Sequence, residues 1–540
     1  MEVQYSKQKN NSLGWRITGI SLYLFTIAVL LIGVVYFIWS IVLISQQTNP
    51  TTMLQTILNF LSLCVEVIGI FYTVMLFKHV STTCFNAPTK NNTEYPLQKF
   101  PLVSILLPIR EADPIVLKSS LNAIVESNYP REKIQILVGD DTDRSFPLIK
   151  QIEDICNKYD VDYIYDASNM MFKAGMLNIM LKEVKAEYLV LLDYDHKISP
   201  DFIRKSISIL LNNDDIAFVQ SKVNFYNIKS RLQVWEAVMY AQFFEVFERS
   251  KNQRSTVLFN GSTACFRKRI INEVGGIPTN TFTEDIDLSI QILTKGYKST
   301  LLDEYGSFGL IPGNFSLLLS QILRWAKGSM HTLKLRWKKI LVGKMKIYDK
   351  IDLYFSTLLF FVASSMYLTI LLYVIMFFTD SMAIRLPIQA FPPLIIMPIA
   401  FSIAYQISGL VAVIFARKAG LVQMKIVDLI LFFIIALSLN PFTVYAVIKT
   451  LFRFRPPNRS RDKWNEKVPF IPLSILFTLL GAGILVVSYF DFIGTTKTLW
   501  LVLCLLGLSL IATFPVCLYF HLTTRHNKPY FVAQNTQITE

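Results

Sequence analysis

The sequence predicts an α/β domain with a doubly wound, mostly parallel sheet, inserted in an α-helical transmembrane bundle. Three observations predict it. Between residues 103 and 211, short apolar runs alternate with amphipathic segments, the pattern of strand–helix–strand units. Of the 540 residues, 52% are hydrophobic and only 17% charged, which is too apolar for a purely soluble chain of this size. The apolar run Tyr188–Leu192 ends abruptly in Asp193, Tyr194, Asp195 and His196. A strand buried on both faces of a parallel sheet behaves this way where it delivers side chains to the sheet's carboxyl edge.

In chain order, Ile17–Ser45 and Leu54–Phe77 are each long enough to cross roughly 30 Å of hydrocarbon. The first is too long for a signal peptide and has no small-residue cleavage site, so it reads as an anchor. Asp352–Phe378, Pro392–Ala416, Val468–Phe490 and Leu499–Phe520 bring the candidate spans to six. Lys7, Lys9 and Arg16 precede the first span, the loop Gln46–Thr52 is uncharged, and Lys78 and His79 follow the second. The positive-inside rule then places the N-terminus and the domain after the second span in the cytoplasm. A further apolar stretch, Ile426–Val447, has basic residues at both ends and Asn440-Pro441 in its middle, so it reads as a re-entrant or interfacial hairpin. Six crossings leave both termini cytoplasmic, in a multi-pass protein of the plasma membrane. Glu66, inside the second span, is costly in lipid and reads as an interhelical hydrogen-bonding group or as the lining of a polar channel.

The resulting organisation is two transmembrane helices in 1–80, a cytoplasmic domain in 95–325 and basic interfacial helices in 326–350. A C-terminal transmembrane region follows in 351–521, with four crossings and the hairpin at 426–467, and then a short cytoplasmic tail in 522–540. The net charge of +14 gathers beside the spans, with eight Lys or Arg against one acid in Lys327–Lys350 and seven against two in Lys449–Lys467. Such clusters fit anionic membrane lipid as partner rather than nucleic acid. Six scattered cysteines without a CxxC pair are expected to be free and reduced.

Within the soluble domain the pattern predicts strands at Val103–Leu107, Ile134–Val138, Val161–Tyr165 and Leu189–Leu192. Helices are predicted at Ile115–Glu126, Leu148–Lys158, Lys173–Val184 and Phe202–Leu211. Neither GxGxxG nor GxxxxGK[ST] occurs, so dinucleotide and P-loop readings have no support. Acidic clusters stand instead at successive element ends. Gly139-Asp140-Asp141 closes the second strand. Asp193 and Asp195, at i and i+2 past a strand end, can share one divalent cation that bridges to a diphosphate; the other reading is a polar loop capping the next helix. Thr283-Glu284-Asp285 follows a Gly/Pro turn and opens a helix through Leu293, where the dipole also favours a carboxylate as a plain cap. Gln321 and Arg324 share one helix face beside Trp325, as site residues or as an interfacial anchor.

In this order and between membrane spans, Asp140-Asp141, Asp193-x-Asp195, Thr283-Glu284-Asp285 and Gln321-x-x-Arg324-Trp325 resemble the processive family 2 glycosyltransferases, which include cellulose, hyaluronan and chitin synthases. The resemblance covers roughly Val103–Lys467. Lys173-Ala174-Gly175 with Asn178 is similar to the family's KAGxxN, and Phe259-Asn260-Gly261-Ser262 with Arg267 to its FxGSxxxxR. Two places depart. Pro108-Ile109-Arg110-Glu111 stands where these enzymes carry P-x-N-E, so Arg110 replaces an Asn at a position that bears on uridine recognition. The gating pattern FxVTxKG is absent, and Arg461–Lys467, centred on Trp464, is similar to the segment of hyaluronan and mannan synthases.

The resemblance implies a GT-A fold, Mg²⁺ or Mn²⁺ as cofactor, a nucleotide-sugar donor (a UDP-sugar in most of the family) and a polysaccharide acceptor. It implies that Asp195 binds the metal, with Asp193 and His196 as further ligands, although His196 also reads as a hydrogen-bonded loop residue. Glu111, Asp141, Lys173, Asp193, Gln321 and Arg324 are then the donor-binding residues, with Asp141 on the base, Lys173 on a phosphate and Arg324 on the leaving pyrophosphate. Asp285 is the general base, and Trp325, Glu284, Gly261 and Ser262 meet the acceptor. The implied outcome is inverting polymerisation of a β-linked polysaccharide with export across the membrane. Two alternatives are a single-transfer lipid glycosyltransferase, like the ceramide glucosyltransferases that also carry QxxRW, and a non-enzymatic transporter that senses nucleotide-sugar and has no use for Asp285.

Overall fold

The computed structural model describes residues 12–45, 53–85, 97, 99–167, 172–360, 372, 375, 407–414, 426–452, 470–493 and 500–524. The chain divides into two compact units. One comprises Met1–Thr89, Leu358–Arg453 and Lys467–Thr524; the other is built on Lys90–Thr357.

In the first unit, α1 (Ser12–Ser45) packs along α2 (Met53–Phe85), and the Ser81 hydroxyl donates to the Gly19 carbonyl at 2.7 Å across their interface. Gly14–Trp39 within α1 and the whole of α2 are, among the described residues, the two helices long and apolar enough to cross a membrane. The expected fifth and sixth spans coincide with helices Phe470–Ile493 and Trp500–Thr524. Most of the expected third and fourth spans, and the Trp464 segment, lie outside the described residues. Ile426–Phe452 corrects one expectation, because it is a single helix that runs through Pro441 rather than breaking there. Proline removes one intrahelical donor. Around it the Thr443 hydroxyl donates to the Asn440 carbonyl at 2.8 Å, and buried Phe442 packs edge-on against Phe477 with ring centres 5.5 Å apart. Packing therefore outweighs the local break.

The second unit is an eight-stranded sheet between helices. Its elements are β1 (Val103–Ile109), α3 (Pro114–Val125), β2 (Ile134–Asp140), α4 (Ile149–Lys158), β3 (Asp162–Tyr165), α5 (Phe172–Glu183), β4 (Tyr188–Leu191), β5 (Lys197–Ile198) and α6 (Phe202–Leu211). There follow β6 (Ile216–Phe225), α7 (Arg231–Gln242), a π-helical turn Phe243–Glu248 running into α8 (Arg249–Asn252), β7 (Ala264–Arg267) and α9 (Lys268–Val274). The last elements are α10 (Glu284–Thr294), β8 (Lys298–Gly309), α11 (Phe315–Val342) and α12 (Ile347–Thr357). All eight elements predicted between 103 and 211 are present within a residue or two. The strand order is β3-β2-β1-β4-β7-β6-β8-β5. The block β3-β2-β1-β4 is parallel, as expected, but β7 runs antiparallel to both β4 and β6, so the sheet as a whole is mixed.

Both faces of the parallel block are covered, which is why its strands read as unbroken apolar runs. Ile105 and Leu107 of β1 join one core with α3 and α6, while Leu106 joins the other with α5 and α10. Where β7 crosses to β4, Arg267 is buried and its guanidinium clamps loop carbonyls. It donates to Ile216 O at 3.1 Å and Asn213 O at 3.2 Å, and to Leu210 O and the Tyr188 hydroxyl. The arginine of the FxGSxxxxR segment thus holds the sheet rather than the reaction. Asp352, the expected first residue of the third span, is also buried in this unit, 2.6 Å from Lys251, so α12 belongs to the α/β domain.

Replacing Arg267 by Met leaves those carbonyls buried without donors, and each charge-assisted bond contributes about 1.5–3 kcal/mol. Arg267→Met is therefore expected to lower the thermal unfolding midpoint of the full-length protein by several degrees. An unchanged midpoint in differential scanning fluorimetry would contradict the clamp.

Candidate active site

Three parallel strands, adjacent in the order β2-β1-β4, end side by side, and just past their ends come Asp141, Arg110 and, after Leu192, the pair Asp193 and Asp195. Ligands of open α/β sheets bind in this crevice beyond the strands' carboxyl ends. Opposite them stand the loop Asn260–Thr263 before β7, the first turn of α10, and α11.

Asp140 is committed to structure, since its carboxylate accepts from the Thr142 amide at 2.9 Å and from the Tyr163 hydroxyl at 2.8 Å. Asp141 is buried, and burial pushes its carboxyl up to about 6 despite Arg110, which pulls it down. Glu111 is solvent-exposed, with a left-handed backbone (φ 47°), and its amide donates to the Thr142 hydroxyl at 2.7 Å. That bond ties the ends of β1 and β2 together.

Lys173, at the start of α5, reaches the centre of the site, where its ammonium donates to Asp193 at 2.5 Å and to the Gly261 carbonyl at 2.8 Å. Burial opposes the Asp193 charge, but Lys173, with His196 and Arg324, holds that carboxyl below its usual range. Asp195 is shifted the other way, because burial and the neighbouring Asp193 charge outweigh His196. The ligand atoms of Asp193, Asp195 and His196 all lie within 4.8 Å of one another. His196 is buried, with Nδ1 3.0 Å from the Ser307 hydroxyl and Nε2 3.9 Å from Asp195. Two hard carboxylate oxygens and an imidazole oriented by a hydroxyl form a donor set that suits a divalent cation such as Mg²⁺ or Mn²⁺.

Asp285 sits in the first turn of α10 with Oδ1 accepting from the Ile286 amide at 2.8 Å. Burial and the adjacent Glu284 push its carboxyl up to about 7, against the pull of Lys173 and Arg324. Gly261 makes room for it. At φ +85° a Cβ on Gly261 would stand 3.1 Å from Asp285 Oδ2, so the position is short of space and of permitted backbone. The Ser262 hydroxyl accepts from the Asp193 amide at 2.9 Å. Ser289 joins this loop to α10, accepting from the Phe259 amide at 2.8 Å and donating to the Asp285 carbonyl at 2.9 Å. Asn178 of the KAGxxN segment pairs with both backbone groups of Ile277 at 2.8 and 2.9 Å, fixing the turn that leads into Thr283-Glu284-Asp285.

α11 closes the site. Arg324 is subject to the charges of Glu284, Asp285 and Asp193, while burial lowers its own pKa. Gln321 donates to the Tyr240 hydroxyl at 3.3 Å, and Trp325, half-buried, meets the Tyr240 ring edge to face at 5.8 Å. One turn further, Gly328 packs so close to Thr283 that an added Cβ would lie 2.4 Å from its methyl, and the Thr332 hydroxyl bonds those of Thr281 and Thr283 at 2.7 and 3.0 Å. The segment bearing Gln321 and Arg324 therefore sets the position of Asp285.

Every residue expected at the site falls in this crevice or on the elements around it. Tyr240 was not legible, because a lone tyrosine on an apolar helix carries no spacing signal. Glu236, one turn before it on α7, was also missed; it is fully buried, its carboxylate has no hydrogen-bond partner, and burial holds it well above the usual carboxylate range.

If Asp285 acts as a base, activity follows its ionisation, being lost as pH falls through about 7 and full above 8. A pH–rate profile flat between 6 and 8 would exclude that role. Gly261→Ala is expected to slow turnover at least about tenfold, because its Cβ crowds Asp285, and to cost some thermal stability, because alanine is strained at φ +85°; the two are compared by nucleotide release and melting of the same preparation.

The profile of glycosyl transferase family group 2 matches residues 188–416. The cellulose synthase catalytic subunit [UDP-forming] of Pseudomonas fluorescens (strain SBW25) is 26% identical over 260 residues, 47% of this chain and 34% of the relative. Glucomannan 4-beta-mannosyltransferase 2 of Arabidopsis thaliana is 28% identical over 282 residues, 50% of this chain and 52% of the relative. The chain thus spans a third to a half of the length of these curated relatives. Among solved structures, the mannosyltransferase PcManGT from Pyrobaculum calidifontis, in complex with GDP-Man and Mn²⁺, superposes with a TM-score of 0.50 at 16% identity, covering 74% of this chain and 100% of that one. That likeness is one of fold.

Proposed function

Starting from the family 2 glycosyltransferase domain that the chain carries, we propose that the protein is a membrane-embedded inverting glycosyltransferase that polymerises sugar from a nucleoside diphosphate donor into a β-linked polysaccharide and passes it across the membrane. The observation that carries this reading is the pairing, in one crevice, of a carboxylate poised near neutrality (Asp285) with Lys173 and Arg324, two cations placed to hold diphosphate charge.

The acceptor hydroxyl attacks C1 of the donor sugar. The new C1–O bond forms as the bond to the diphosphate breaks, and the hydroxyl proton passes to the Asp285 carboxylate. One base without a second nucleophile makes this a direct displacement, so an α-linked donor gives a β-linkage. Asp193, Asp195 and His196 would hold the divalent cation, which when bound neutralises charge on the departing diphosphate. Arg324 offers a planar fork to the same oxygens, and Lys173 a point charge beside Asp193. Trp325, steadied by Tyr240, presents a flat face on which successive sugars stack.

The membrane part of the reading rests on α1 and α2, on the apolar C-terminal helices, and on α11 and α12. Those last two expose Leu335, Trp337, Leu341, Val342 and Ile347 among lysines, as a surface lying on anionic lipid does. A cytoplasmic N-terminus and α/β domain are the arrangement that the basic residues flanking α1 and α2 favour.

Asp285→Asn is expected to reduce transfer by about 10²–10⁴-fold while leaving donor binding intact. Unchanged turnover would overturn the assignment of Asp285 as the base, and absence of transfer by the wild type itself would favour a nucleotide-sugar-sensing transporter. Asp195→Ala is expected to remove the gain in donor affinity that Mg²⁺ or Mn²⁺ confers, read by calorimetry without turnover. Product length from vesicles supplied with labelled donor tests polymerisation. Trp325→Ala should shorten the product more than it weakens nucleotide binding, and a single sugar on lipid from the wild type would replace polymerisation by single transfer.

A further inference from the structure

The donor end of the crevice carries a pair of side chains that diphosphate chemistry does not use. β1 and β2 pair in register to Ile109 and Asp140, so Arg110 and Asp141 are the next residues on neighbouring strands, and the Asp141 amide donates to the Ile109 carbonyl at 3.3 Å. The Glu111–Thr142 hydrogen bond fastens the two strand ends just beyond them. Of the surrounding charges, Arg110 does most to keep the buried Asp141 carboxyl ionised against burial. On the β3 side, the Arg144 guanidinium lies 3.6 Å from the centre of the Tyr165 ring, a flat surface held in place by the Tyr165 hydroxyl on the Thr142 carbonyl at 2.9 Å.

The crevice therefore offers a base one acceptor-only group and one donor-only group, each two-pronged. A carboxylate presents two parallel acceptors and a guanidinium two parallel donors. Guanine answers both at once: N1–H and the N2 amino group are adjacent donors for the carboxylate, and O6 and N7 are adjacent acceptors for the arginine. Uracil answers neither in full. Its only ring donor, N3–H, lies between two carbonyl oxygens, so the second carboxylate oxygen faces an acceptor, and no pair of acceptors lies on one edge for the guanidinium. Adenine gives the carboxylate a single amino group and sets a bare ring nitrogen beside it.

We propose that Arg110 and Asp141 together select guanine, so that the donor is a guanosine diphosphate sugar rather than the uridine donor usual in the family. The assignment rests on the donor-site reading above, and it gives Arg110 a positive role at the position where the sequence departs from P-x-N-E.

The test is calorimetric titration of the purified full-length protein in detergent with GDP, UDP and ADP, each in the presence of Mn²⁺. GDP is expected to bind at least about tenfold more tightly than UDP or ADP, the scale of one bidentate base contact. Arg110→Asn should bring the GDP-to-UDP ratio close to one, mainly by weakening GDP. Arg110→Lys, which keeps the charge but loses the fork, should lose most of the preference as well. UDP binding as tightly as GDP in the wild type would overturn the proposal whatever the variants do, and so would a preference that survives both substitutions. Binding of UDP alone would leave the glycosyltransferase reading standing without guanine selection, whereas absence of binding by all three nucleotides would remove both.

Discussion

The Lys173 ammonium is the contact on which the rest of the site depends. It sits between the Asp193 carboxylate and the Gly261 carbonyl, and so joins the end of β4 to the loop that makes room for Asp285. Asp193, Asp195, Glu284 and Asp285 are gathered at one half-buried edge, where like charges repel strongly and burial penalises each of them. Lys173 and Arg324 divide these carboxylates into two groups. Asp193 is held ionised, while Asp285 is left near neutrality. Two carboxylates under the influence of the same cation thus acquire different protonation behaviour.

Much of this was legible in the sequence. A parallel strand covered on both faces has to be apolar throughout, and Val103–Ile109, Ile134–Asp140 and Tyr188–Leu191 each reveal themselves that way. Their abrupt polar ends mark the crevice. The far half of the sheet was harder, because β6 and β8 are paired with register shifts, and β7 is four residues long and reaches its neighbours from the opposite direction. No local signal encodes such pairing; it depends on contacts distant in the chain. The helix through Pro441 illustrates the same limit, since local propensity argued for a break and the packing of Phe442 decided otherwise.

What sequence reading could not reach is the support behind the motifs. The π-helical turn Phe243–Glu248 carries Glu245 into a buried network in which Lys222 lies 2.9 Å from both Glu245 and Asp303, and Arg249 2.8 Å from both. Tyr305 adds its hydroxyl to Glu245 at 2.8 Å. Buried ion pairs contribute little net stability once desolvation is counted, but removing one partner from them is expensive. Such a network fixes geometry more than it adds stability. Here it fixes the helix that carries Tyr240 against the strands β6 and β8, and through Tyr240 it orients Gln321 and Trp325.

α11 carries the argument one step further. Within one 28-residue helix, Arg324 faces the acidic site, Gly328 and Thr332 lock the turn before Asp285, and Trp337 stands exposed among lysines. From Arg324 to Trp337 is thirteen residues, about 20 Å of rigid helix at 1.5 Å per residue. Sharp kinks arise at prolines, Gly/Ser pairs or inserted groups; Phe315–Val342 contains no proline, and its Gly328-Ser329 pair is buried, with Gly328 packed against Thr283. Anything that seats the exposed end therefore also sets the position of Arg324 and, through Thr332, of the turn before Asp285. The coupling needs no moving part, because Thr332 bonds the turn that Asp285 follows. In this geometry the placement of the exposed amphipathic end and the alignment of the Asp285 carboxylate depend on the same element.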